Sequence, residues 1–337
     1  MGERIYRGTV VVTLLLSLVV VGLGAFTRLT EAGLGCPDWP GCYGFMTVPQ
    51  TEAQQAVASE AFPHVPLEPQ KAWNEMIHRY VAGTLGLLIA AIALLSFRRA
   101  ERPKLLPSLL LGTVIFQALL GMWTVTMNLM PLVVMGHLLG GFATVTLLVL
   151  LALKLYFPTL PAAEAGSALR ALAAAGLVAV TLQIALGGWT SSNYAAVVCT
   201  QLPVCEVDWV EKYDASAFHP ISPKNDTYQF GVLNFDQRVT IHVTHRIGAI
   251  VVSALVMMLA VASAMKLGVR WGLGLGAVLA LQIALGVTNV VAYLPLSVAV
   301  AHNLGGLLLL QCVVAVNWRL WLPASDWVTG RINYGES

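Results

Sequence analysis

Apolar residues in this chain come in long unbroken blocks separated by short polar segments. Eight such blocks lie near Thr9–Phe26, Ile77–Phe97, Leu105–Thr126, Leu132–Phe157, Ala171–Trp189, Thr240–Met265, Trp271–Ala292 and Ser297–Leu320. Each is close to the ~20 residues that carry a helix across the hydrocarbon of a bilayer. The pattern predicts an all-α polytopic membrane protein with eight transmembrane helices. The first block follows basic residues but precedes no clear small-residue cleavage site, so it is expected to be a retained helix.

Composition agrees, and charge adds orientation. Hydrophobic residues make up 57% of the chain and charged residues 11%, against roughly 25% charged in a soluble domain. A net charge of +2 gives no ground for expecting nucleic acid as a partner. Arg4 and Arg7 precede the first span, and Arg98, Arg99, Arg102 and Lys104 follow the second. Lys154, Arg170, Lys266, Arg270, Arg319 and Arg331 mark the remaining segments on that same side. Basic residues gather on the cytoplasmic side of membrane proteins. Both termini are therefore expected in the cytoplasm, with loops 1, 3, 5 and 7 outside. Cys36 and Cys42 fall in loop 1, and Cys199 and Cys205 in loop 5, with the same five residues between them. An oxidising exterior suits disulfides, and Pro-containing turns bring such ends together. Structural clips, Cys36–Cys42 and Cys199–Cys205, are the expectation. A redox dithiol would want the two-residue spacing these pairs lack. Cys312 reads as a small buried residue.

The chain also repeats itself. Phe116-Gln117-Ala118-Leu119-Leu120-Gly121 and Gly136-His137-Leu138-Leu139-Gly140-Gly141 recur 165 residues later as Leu281–Gly286 and Ala301–Gly306. The cysteine pairs recur at an offset of 163, and His78-Arg79 recurs as His245-Arg246 at 167. The repeat predicts an N-terminal four-helix half, residues 1–157, a cytoplasmic linker, 158–169, and a C-terminal half, 170–337. Four is even, so both halves cross in the same sense, as tandem bundles related by a pseudo-two-fold along the membrane normal.

Within that repeat stand four histidines at one depth near the outer face: His78, His137, His245 and His302. Each half supplies two from different helices, the way a bundle encloses a cofactor. Two imidazoles on opposite sides of a flat iron macrocycle give axial haem ligation. Gly140, Gly141, Gly305 and Gly306, with Ala82 and Ala249, are expected to clear space for the plate. Zinc would want three or four ligands, and a di-iron bundle two Glu-x-x-His motifs where only one occurs. Arg79, Arg246 and Arg28 are candidate partners for haem propionates, or interfacial anchors. Glu75 precedes His78 by three residues, one helical turn; His242 takes the same place before His245. A carboxylate at a haem edge can move a proton. The first half is therefore expected to carry chemistry with Glu75, and the second a resident cofactor. His242 reads as a packing or interfacial residue.

These motifs resemble the heme A synthase family, in its bacterial branch with two extracellular cysteine pairs. The resemblance rests on Gly24-Ala25-Phe26-Thr27-Arg28-Leu29-Thr30, on Gly33 through Cys42, and on Glu75-x-x-His78-Arg79, Gly136-His137, His245-Arg246 and Ala301-His302-Asn303. It implies an oxidoreductase of the bacterial cell membrane that oxidises the C8 methyl of haem O to a formyl group. Two hydroxylations followed by loss of water would give haem A for respiratory oxidases. It also implies that His78 and His137 bind substrate haem O, that Glu75 is catalytic, and that His245 and His302 hold haem b. The electron donor, the oxygen source (molecular oxygen or water), contact with the enzyme that makes haem O, and homo-oligomer formation stay open. So does the way an axial position comes free.

Two other readings compete. A two-haem electron-transfer subunit of the cytochrome b kind explains the histidines but gives Glu75 no task. A transporter of parallel repeats would want broken helices and a polar midplane. His64 and His219 have no assigned role. Loop-1 residues Gln50–Leu67 would suit a short amphipathic lid.

Overall fold

A computed structural model describes residues 2–157, 166–203 and 205–321. Most of the expected linker and Arg331 lie outside these residues. Among the described residues the chain forms nine α-helices, one 3-10 turn and no strand. The helices are α1 (Gly2–Leu29), α2 (Glu52–Ala61), α3 (Pro69–Phe97), α4 (Leu105–Thr126), α5 (Pro131–Tyr156), α6 (Ser167–Ser192), α7 (Phe235–Leu267), α8 (Val269–Val291) and α9 (Leu296–Trp321). All except α2 are long and apolar enough to cross a membrane. Inside hydrocarbon the backbone must satisfy itself, which makes helices of such blocks.

The helices begin and end for local reasons. Pro69 and Pro131 sit in the first turns of α3 and α5, where a missing N–H costs nothing. Asn234 and Gln237 form a capping box at the start of α7. Thr51 and Gln54 do the same for α2, so the polar stretch Gln50–Leu67 holds a ten-residue helix.

Packing closes two rings. α1 packs on α3, α3 on α4, α4 on α5, and α5 back on α1; α6, α7, α8 and α9 repeat that cycle. The rings meet where α5 touches α6, α1 touches α9, and α5 touches α9. Exchanging α1 with α6 and α5 with α9 leaves this set of contacts unchanged, as a two-fold relation requires.

The backbone repeats as closely as the packing. Left-handed residues end α1 at Glu31 and α6 at Tyr194, and they recur at Asn128-Leu129 and Tyr293-Leu294. At each turn an N–H reaches back five residues: Ala32 to Thr27 and Ala195 to Thr190 at 2.9 Å, Leu129 to Thr124 and Leu294 to Asn289 at 2.8 Å. Such bonds satisfy carbonyls left over at a helix end.

The equivalent residues Thr146 and Gln311 meet each other, the Gln311 amide donating to the Thr146 hydroxyl at 3.0 Å. Arg28 likewise reaches the position equivalent to its own, donating to the Ser191 carbonyl at 2.6 Å, and lies over the Tyr194 ring. These residues mark the pseudo-axis.

At the end bearing the cysteines, both disulfides are formed, with Cα separations of 4.8 Å for Cys36–Cys42 and 4.9 Å for Cys199–Cys205. Each ring includes a cis prolyl bond, Trp39-Pro40 and Leu202-Pro203. The segment between α6 and α7 then crosses to the first ring. Tyr228 donates to the Asn128 carbonyl at 2.9 Å, Asn128 to the Asp226 carbonyl at 2.9 Å, and Gln229 to the Glu31 carbonyl at 3.3 Å.

Candidate functional site

His78 on α3 and His137 on α5 face each other across the first ring. Their ring centres are 6.5 Å apart and their planes stand at 86°. Two metal–nitrogen bonds of about 2 Å, with the depth of each imidazole added, give roughly 6 Å between ring centres of ligands on opposite sides of one metal. The observed spacing fits that arrangement. His245 on α7 and His302 on α9 take the equivalent places in the second ring. The Nδ1 atoms of His78, His137 and His302 are buried without a hydrogen-bond partner among the described residues.

Each imidazole is backed by a glycine from the preceding span. A Cβ would come within 3.1 Å of the His78 Cε1 at Gly24, 3.5 Å of the His137 Cε1 at Gly121, 3.2 Å of the His245 Cε1 at Gly187, and 3.1 Å of the His302 Cε1 at Gly286. These four glycines make the room beside the rings. Three of the glycines picked out from sequence have other neighbours: a side chain at Gly140 would overlap the Gln117 amide, and one at Gly305 the Gln282 amide; Gly306 too faces Gln282. Buried imidazole nitrogens without partners and a cradle of glycines are what a flat bis-histidine group needs, so the residues present fit haem. His78 and His137 would hold one macrocycle, and His245 and His302 another.

Glu75 lies one turn before His78 and is 5% exposed. Its Oε1 accepts from Arg79 at 2.5 Å and its Oε2 from the Cys36 N–H at 2.9 Å. The Cys36 amide arrives because Gly35 presses directly on the α3 backbone at Lys71 and Ala72, where no Cβ would fit. In the second ring His242, equally buried, replaces the carboxylate, and its Nδ1 lies 2.7 Å from the Ala195 carbonyl.

The arginines clamp loops. Arg79 donates to the carbonyls of Asp38, Pro40 and Gly41 at 3.1, 3.3 and 2.5 Å, and so holds the first disulfide ring against Glu75. Arg246 donates to Gln201 and Cys199 at 2.7 and 2.8 Å and holds the second. Arg28 bridges the two rings, adding a 2.7 Å bond to the Tyr194 hydroxyl. His64 and His219 are exposed in the loops, away from both pairs.

Three glutamines passed over in the sequence reading as chemistry complete the surroundings. Gln117, Gln183 and Gln282 each stand four residues before the glycine that backs a histidine. The Gln183 amide nitrogen is 3.0 Å from His245 Nδ1 and donates to the His245 carbonyl at 2.9 Å. The Gln282 amide nitrogen is 3.5 Å from His302 Nε2. The signal was available as Gln-x-x-x-Gly, written three times in the chain.

Fold and site together define a polytopic helical membrane protein of two four-helix rings, each with a histidine pair at one end. The chain belongs to the cytochrome oxidase assembly protein family (COX15-CtaA), whose model matches residues 7–314. It is 47% identical to a protein of Shewanella oneidensis named Heme A synthase, across 94% of this chain and 96% of that one. It is 30% identical to a Heme A synthase of Caulobacter vibrioides, across 93% and 95%, and 27% identical to one of Mesorhizobium japonicum, across 94% and 90%. The family named by these relatives is the one the motifs resemble.

Proposed function

We propose that this protein is a membrane oxidoreductase that converts the C8 methyl of haem O to a formyl group, giving haem A. The observation that carries the reading is the pair of buried histidines 6.5 Å apart with a buried carboxylate one turn away. In this reading the substrate haem O sits between His78 and His137, and a resident haem b sits between His245 and His302, supplying one-electron redox chemistry. The residues 1–157 act as the catalytic half and 170–337 as the cofactor half.

Glu75 is the carboxylate that would hold or move a proton at the methyl-bearing edge of the substrate. Arg79 and the Cys36 amide each occupy one of its oxygens and aim the carboxylate, so its position is fixed by groups outside the substrate. Positioned groups of this kind contribute by acting at one atom without reorganising. Substrate orientation falls to His78 and His137, and the glycines at 24 and 121 let the imidazoles lie flush against their neighbouring helices. In this reading the bundle ends bearing the histidines and disulfides face the exterior and both termini face the cytoplasm, which the distribution of Arg and Lys supports.

The test is a haem extract of purified protein, resolved by mass, from cells able to make haem O. Wild type should yield haem b with haem O, haem A or a hydroxymethyl form, and Glu75→Ala should shift the balance toward haem O or the hydroxymethyl form. Haem b alone, two per chain in both proteins, would favour the electron-transfer subunit.

A further inference from the structure

The first ring carries an open groove at the end that bears the disulfides. A cavity of about 620 Å³ lies between the end of α1 and the start of α3, with Phe26, Thr30, Leu67, Gln70, Lys71 and Asn74 in its lining. Lys71 and Asn74 precede His78 by seven and four residues, so they share its face of α3 at two turns and one turn. The groove therefore opens along the line that ends at His78.

The repeat places the same groove in the second ring, and there it is filled. Trp189 stands for Phe26 and Asn193 for Thr30 at an offset of 163; Gln237 stands for Gln70 and Ile241 for Asn74 at 167. Three of these four hold the 3-10 turn Ala215–Phe218. The Trp189 indole N–H donates to the Ala217 carbonyl at 2.9 Å and the Gln237 amide to the Ser216 hydroxyl at 2.8 Å. Ala217 packs in one buried cluster with Trp189 and Ile241. Asn193 and Ile241 are wholly enclosed, whereas Thr30 and Asn74 are half-buried. The Asp214 N–H, just before the turn, ties it to the Thr240 hydroxyl at 2.9 Å.

We infer that the groove between α1 and α3 is the passage by which a porphyrin reaches and leaves the first histidine pair, and that the Ala215–Phe218 turn is the stopper that retains the porphyrin of the second ring. This rests on the haem reading above. The lining suits such a ligand. Phe26, Leu67 and Pro69 offer apolar surface to the macrocycle, and Lys71, paired with Glu68 at 3.0 Å, offers a cation to a propionate carboxylate. A substrate must exchange at every turnover and a resident cofactor must stay, so the two rings need opposite treatment of one groove.

Haem exchange tests this in full-length chains that keep one histidine pair and carry alanine at the other, so that each ring is read separately. The probe is haem b in both, with excess apomyoglobin as acceptor, and capture and loss are timed by absorbance. Haem should leave the chain with His78 and His137 faster than the chain with His245 and His302, by roughly 10-fold or more. Trp189→Phe with Gln237→Ala frees the turn from two hydrogen bonds and should quicken loss from the second ring by roughly 5- to 100-fold. Thr30→Trp narrows the open groove and should slow exchange in the first ring by roughly 10-fold. In both variants capture and loss should change by the same factor, because a passage alters rates and leaves affinity alone.

Equal exchange in the two unmodified single-pair chains, or unchanged rates in the Thr30→Trp protein, overturns the inference. So does a change in affinity with capture unaltered. The Thr30→Trp arm decides the matter even where the Trp189→Phe/Gln237→Ala chain fails to assemble. If neither single-pair chain captures haem, the histidine-pair reading itself falls, whatever the groove does.

Discussion

In the first ring a buried carboxylate stands one turn before a histidine with no amide beside it; in the second, a buried histidine stands there before one held by Gln183. The turns, the glycines behind the rings and the arginine clamps are common to both. The repeat therefore keeps the scaffold around each histidine pair and differs in the groups that stand beside one histidine of each. The difference is small in residues and large in chemistry.

The largest effect expected from that contrast is kinetic. Glu75→Ala should lower haem A formation by about 10²–10⁴-fold, the usual weight of a positioned acid or base, with haem content retained. His242→Ala should leave the rate within a few-fold of wild type by the same principle. Equal losses in the two variants, read by product analysis, would erase the division of labour.

Next is the clamp. Arg79→Ala removes the partner of a buried carboxylate and the donor to three loop carbonyls, and should cost about 3–5 kcal/mol of stability. Arg246→Ala breaks bonds to two carbonyls and strands no carboxylate among its hydrogen-bond partners. It should cost about 1.5–3 kcal/mol. Thermal unfolding in detergent compares them, and a larger loss for Arg246→Ala would reverse the assignment.

Opening either disulfide by a Cys→Ser pair should cost about 2 kcal/mol, because both loops are the same length. Only the pair at Cys36 and Cys42 should also slow product formation, since the Cys36 amide holds Glu75. Matching activities for the two disulfide variants would show that this amide does not position the carboxylate.

The smallest effect is a pH dependence of loop 5. The Glu206 carboxyl is held down from 4.5 to about 2, chiefly by its own backbone N–H and then by the N–H and hydroxyl of Thr200 and the N–H of Gln201, against the opposing effect of burial. A carboxyl lowered in the folded state stabilises above its unfolded pKa and loses that contribution as pH falls through the folded one. Amide-exchange protection at Thr200 and Gln201, taken relative to the intrinsic rate at each pH, should therefore fall between about pH 4.5 and 2. Glu206→Gln should flatten the change, and an unaltered profile would sink the assignment.

Much of this was legible before any coordinates. Eight spans follow from apolar blocks because hydrocarbon leaves the backbone no other way to pair. Four histidines and Glu75 stood out because ionisable groups are costly there. The glutamines did not, because an uncharged amide within an apolar run looks ordinary, and the glycine that receives it lies on another helix. Nor did the partners of Arg28, Arg79 and Arg246 show, since carbonyl acceptors carry no sequence signature. The docking of Tyr228 and Gln229 on the opposite ring joins positions about a hundred residues or more apart. No local pattern announces that.

The contacts on the pseudo-axis bear on how such a chain came about. Where two identical halves meet across a two-fold, every residue on the axis faces its own copy, so an arginine there would face an arginine. Here Arg28 faces Ser191 and Gln311 faces Thr146. Neither combination of side chains is open to a dimer of unfused copies, in which a change on one side is always made on the other as well. Joining the copies in one gene freed each axis position to evolve against a different partner. The covalent connection matters less as a tether than as the end of enforced sameness.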